Sequence, residues 1–173
     1  MTLKPQDVVV AIKLAGRHEA QRPSFAQIGL DLKMSASEVH AAVKRCQSAH
    51  LLGPHELGDR PNRRALEEFL IHGIKYAFPA ERGEPTRGVP TGYAAPPLNK
   101  FIAAGDELPP VWPYPEGLSK GISFEPLYKT VPFAALHDEF LYECLALVDA
   151  LRDGRVREKQ IAERELRARL KSA

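Results

Sequence analysis

Cysteine is scarce in this chain of 173 residues: Cys46 and Cys144 stand alone, in no framework spacing. A disulfide scaffold is thereby excluded, and the pair reads as two buried thiols of a reducing cytoplasm. No apolar run approaches the roughly 20 residues that a membrane span requires. The opening stretch MTLKPQDVVVAIKLAG is too brief, and too broken by Lys13, to be a signal sequence. Charge of one sign is also missing. With a net charge of +2 and a pI near 8.6 the chain is no histone-like polycation, so a surface for a polyanion has to come from local clustering of Lys and Arg. Finally, there is no GxSxG elbow, HExxH pair, P-loop or dinucleotide fingerprint, and His18, His40 and His72 have no nucleophile partner in the sequence. Neither catalysis nor a cofactor is expected.

What is present is concentrated in residues 24 to 50, SFAQIGLDLKMSASEVHAAVKRCQSAH. Ile28 and Leu32 lie four apart on one short helix, and Val39 and Val43 repeat that spacing on the next. Gly29, without a side chain, lets two backbones approach, and Lys33, Met34 and Ser35 form the turn between the helices. Ser35 followed three residues later by Glu38 is a capping box, which sets the start of the second helix. With Val39, Ala42, Val43 and Cys46 turned inward, the outer face holds Ser37, His40, Ala41, Lys44 and Arg45, with Ser35 and Ala36 at its leading end. This is the pattern of a helix-turn-helix. Lys44 and Arg45 are placed to meet phosphates, Ser35 and Ser37 to bond phosphate or base edges, and His40 to reach toward the groove floor. No Arg or Asn stands early in the helix to read a base bidentately, so affinity rests mainly on backbone charge. A plain structural helix pair is the alternative.

In the residues QIGLDLKMSASEV and the apolar close at Leu51 and Leu52, the segment resembles the winged helix-turn-helix transcriptional regulators, including those of the multiple-antibiotic-resistance type. The likeness covers roughly residues 5 to 75. It implies a double-stranded DNA partner and a homodimer. Lys33 stands at a turn position where such motifs often carry Gly, and GDRPNRR offers a turn rather than a clear two-stranded wing. Compact two-part regulators of this kind also resemble the antitoxin or autorepressor partners of toxin operons, which implies a toxin or other protein partner for the remaining half.

Around this unit the pattern predicts a first helix from Pro5 to about Ala15, ended by Gly16, with Val8, Val9 and Ile12 buried. A further helix is expected from about Asn62 to His72, stopped by Gly73, and IKYAF at 74–78 alternates like a strand. Arg60, Arg63 and Arg64 read either as a phosphate clamp or as a solvated helix end. Residues 79–132 hold most of the prolines, which excludes long helices and leaves backbone donors scarce. ISFEPLY is the best strand there, and ERGEPTRGVPTG is read as a loop in which Arg82 and Arg87 can meet a phosphate or carboxylate. The bulky side chains of this segment, Trp112 and Tyr114 among them, either wrap the core or line a pocket or partner groove. Leu136 to Leu151 reads as a helix covered on more than one face. RVREKQIAERELRARLKS is a charge-alternating terminal helix, basic residues outnumbering acidic about two to one from Arg152 onward, and it reads as a dimer surface or a solvated tail.

Cys46, His50, His55 and Glu56 lie close in sequence, but Cys46 points inward, so no metal site is expected. His137, Asp138 and Glu139 point three ways at a helix start. The resulting expectation is a mainly α fold with short β strands: a winged-helix-like unit over 1–78, an irregular Pro-rich segment over 79–132 packed on the core, and two C-terminal helices over 133–173. Its expected function is that of a DNA-binding regulator, most naturally a repressor. The rival is an adaptor or antitoxin that docks a protein through its C-terminal half, and a third reading is a ligand-sensing regulator with a pocket around the aromatic midsection.

Overall fold

The computed structural model describes residues 1–17, 23–54 and 59–172; His18, His55 and Glu56 fall outside the described residues. The fold is mixed α/β. Helix α1 (Pro5–Ala15) takes proline in its first turn, and the Asp7 carboxylate accepts the Lys4 N–H at 2.8 Å, satisfying one of the donors a helix start leaves free. Helix α2 (Phe25–Leu32) is capped by Ser24. Helix α3 (Ala36–Ser48) begins with the expected reciprocal cap: Ser35 Oγ accepts from Glu38 N at 3.1 Å, and Glu38 accepts from Ser35 N at 2.8 Å. Lys33 ends α2 in the left-handed region, φ 51°. A Cβ at Gly29 would overlap the Met34 carbonyl oxygen, so this glycine serves the α2–α3 turn rather than a helix crossing.

Two expectations fail just beyond. Asn62 caps α4 (Arg63–Glu68), but Gly73 does not stop it; the chain passes through a π-type turn over Phe69–Gly73 into α5 (Ile74–Ala77), so all of IKYAF but its last residue is helical. Ile74 is buried and Tyr76 exposed, as helical geometry places them; on a strand residues two apart would share one face.

The Pro-rich midsection holds a small sheet amid irregular backbone. ERGEPTRGVPTG, read as a loop, contains the long strand β1 (Arg82–Pro90), which pairs with β2 (Pro110–Pro113) and β3 (Ser119–Phe124). Both pairings of β1 are antiparallel, β2 and β3 run parallel, and the three close a small barrel. The strand expected at ISFEPLY is met only by its first three residues, in β3.

Helices α6 (Val131–Leu136), α7 (Glu139–Asp153) and α8 (Val156–Ser172) complete the chain. The predicted helix over 136–151 thus begins at Glu139, with Asp138 as its cap, accepting from Leu141 N at 3.0 Å. One apolar core runs through all three segments, from Val8 and Ile12 through Val39, Val89 and Trp112 to Leu145, Val148, Leu166 and Leu170. On α8, Ala162, Leu166 and Leu170 are buried and the helix packs against α7 and α4, while Val156 at its start is exposed. Among the described residues no helix is long and apolar enough to cross a membrane.

A buried polar cluster ties the barrel to α7. Asp149, 2% exposed, accepts from Thr91 Oγ1 and Trp112 Nε1, each at 2.7 Å, and from Arg152 at 2.9 Å. Burial pushes the Asp149 carboxyl above its ordinary range, against the pull of Arg152 and the two neutral donors. Arg152 also donates to the carbonyls of Phe78, Pro79 and Glu125. In a proline-rich region short of N–H groups, one guanidinium supplies the missing donors.

Candidate nucleic-acid interface

The first site residues stand on α3, which is fixed from below. Val39, Ala42, Val43 and Cys46 are buried as the spacing predicts, and α3 packs on both α1 and α2. Among the described residues the outward face is open: Ser35, Ala36, Ser37, His40 and Lys44 are exposed, while Ala41 is half-buried. His40 leans on the Phe25 ring, with centroids 5.4 Å apart, so its imidazole is held along the α2 side of the face.

Arg45 is a correction. It does not face outward: its Nε and Nη2 both bond the Asp7 carboxylate at 2.8 Å, and Asp7 is fully buried. Position 45 lies at the edge of the apolar stripe, next to Cys46, whose thiol donates to the Asp7 carbonyl at 3.3 Å, so the edge faces α1 instead of solvent. Burial pushes that thiol up to about 12. Arg63 is a second correction: it bonds the carbonyls of Ala15 at 3.1 Å and Leu170 at 2.8 Å, tying α4 to the ends of α1 and α8. Arg60 and Arg64 remain exposed, and with Lys44 they form no ion pair or side-chain hydrogen bond among the described residues.

Between α3 and α4 the backbone doubles back. Leu52 bridges Pro61, Gly53 N donates to Arg60 O at 2.7 Å, and Asn62 N to Leu51 O at 2.9 Å. Arg60 therefore sits on the returning arm of a very short hairpin, whose residues 55–58 lie outside the described residues.

Sequence reasoning missed a strut. The segment after β3 crosses to the α2–α3 turn, where Thr130 Oγ1 donates to Leu32 O at 2.7 Å and Tyr128 OH bonds Glu38 at 3.4 Å. Lys33 Nζ lies 3.8 Å from the centre of the Phe133 ring. The bonds from Ser35, chiefly its backbone N–H, hold the Glu38 carboxyl below its ordinary range, and burial raises the Tyr128 phenol. Only the aromatic and Thr residues of PLYKTVPF hint at this role, since a contact across 90 residues leaves no periodic signal.

The residues assigned to a partner or ligand are dispersed. Trp112 is 1% exposed with its indole N–H spent on Asp149, so it lines no docking groove. Tyr114 is half-buried beside β1, Arg82 pairs with Asp153 at 2.6 Å, and Arg87 is exposed on the barrel. A cavity of about 310 Å³ does exist in the midsection, but it is lined by Pro90, Tyr93, Asn99, Ile102, Pro109 and Ser119 rather than by Trp112. Compared with protein-family models, with curated proteins and with solved structures, the chain has no match.

Proposed function

We propose that this protein binds duplex DNA through the outward face of α3 and regulates transcription by occupying a promoter, which favours repression. The observation that carries the reading is the free α3 face. Ser37, His40 and Lys44 stand exposed on a helix fixed by a capping box, a buried ion pair and a strut. Arg60 and Arg64, which have no ion pair among the described residues, add cations on the arm after Gly53 and on α4. Lys44, Arg60 and Arg64 neutralise phosphates, while Ser35, Ser37 and His40 supply limited contacts to base edges.

Fluorescence anisotropy of a random-sequence duplex, titrated with the protein at several salt concentrations, tests this. The affinity falls steeply with salt, and Lys44→Ala, Arg60→Ala and Arg64→Ala together flatten the log–log slope by about 0.9 for each phosphate contact removed. Arg45 and Arg63 stay untouched because they hold the fold. A triple variant that binds with unchanged affinity and slope overturns the reading.

A further inference from the structure

A second cationic face stands on the barrel. In the antiparallel register of β1 and β3, Arg87 lies directly opposite Lys120. Directly opposed residues project from the same face with Cβ atoms about 5 Å apart, and like charges so placed repel. Both side chains are exposed, and neither forms an ion pair among the described residues. The far end of the same strand shows how this chain treats a cation that serves only the fold: Arg82 lies over the Phe124 ring at 5.5 Å and is neutralised by Asp153.

The Arg87–Lys120 face is also rigid. A Cβ at Gly88 would overlap the Trp112 carbonyl, and one at Gly117 would overlap the Gly88 carbonyl, so the 114–118 connection crosses β1 in backbone contact. Arg87 donates to Gly117 O at 3.2 Å, and Tyr114 N donates to Arg87 O at 3.1 Å. The guanidinium is thereby held at the surface with most of its donors unused.

We infer that Arg87 and Lys120 form a second contact for the phosphate backbone of nucleic acid, one that an intervening anion turns from mutual repulsion into shared attraction. The inference rests on the DNA reading above, because Lys44, Arg60 and Arg64, without an ion pair among the described residues, call for the same polyanion.

The test compares wild type, Lys44→Ala, Arg87→Gln/Lys120→Gln and Lys120→Glu for binding to a labelled random duplex as a function of salt. Thermal melting of each protein is followed in parallel. For two lost phosphate contacts the double variant flattens the slope by about 1.8. Lys120→Glu melts at or above the wild-type temperature, because it pairs with Arg87, yet binds more weakly; a purely structural role would not separate these two readouts. If Lys44→Ala flattens the slope and the double variant does not, the barrel inference is overturned and the α3 reading stands. If the double variant flattens it and Lys44→Ala does not, the reverse holds. Absence of any duplex binding by the wild type sinks both. Tighter retention of a polyglutamate peptide than of a duplex of equal charge overturns the nucleic-acid assignment in favour of an acidic protein segment.

Discussion

Two buried aspartates hold the two halves of this molecule, and they do so differently. Asp7 joins α1 to α3 with charged and backbone donors alone, Arg45 and the Lys4 N–H, and the Arg45 side chain keeps 14% exposure. Asp149 joins the barrel to α7 with two neutral donors, Thr91 and Trp112, besides Arg152, and Arg152 is spent on three carbonyls as well. The helices satisfy their own backbone, so one ion pair is enough to register them. The proline-rich barrel cannot, so its acid and its arginine complete a hydrogen-bond network that the strands leave open.

Removing each acid therefore breaks the comparison at a different depth. Asp149→Ala strands three buried donors and costs about 3–5 kcal/mol. Trp112 is the only tryptophan, so its fluorescence reports the barrel while circular dichroism reports the helices. Coincident urea midpoints by both probes are expected, since one core spans both regions. Asp7→Ala costs less, about 2–3 kcal/mol, because Arg45 can turn its partly exposed tip to water; urea titration by circular dichroism measures it. The smallest effect sharpens the link between the halves. Glu38 has a folded pKa below its ordinary value, so its stabilising contribution is present above that ordinary value and is lost as pH falls through the folded one. Glu38→Gln removes that component, so the acid-unfolding curve of the variant is shallower in the carboxylate range than that of the wild type.

How far the sequence was legible follows the range of the forces involved. The cap at Ser35 and Glu38, the inward set Val39, Ala42, Val43 and Cys46, and the bounds of α1 were readable because each depends on residues within a turn or two. Arg45 and Arg63 were misread for the opposite reason: both lie on plausible solvent positions of their own helices, and partners 38 and 107 residues away bring them inward. In β1 the glycines and prolines suppress the alternation that marks a strand. What makes Gly88 useful there is the close approach of the Trp112 backbone, in a stretch that composition alone assigns to a loop. Residues 74–78 fall between periods, too short for a helix to outscore a strand.

The amino-acid sequence by itself determined the local grammar of this protein: where α1 and α3 start, which faces of α1, α2 and α3 are apolar, and that its cysteines are thiols rather than staples. Tertiary structure alone decided which cations remain free. An arginine is available to a phosphate only if no buried carboxylate or unpaired carbonyl claims it first. That competition is settled across distances in the chain which capping rules and periodicity do not span.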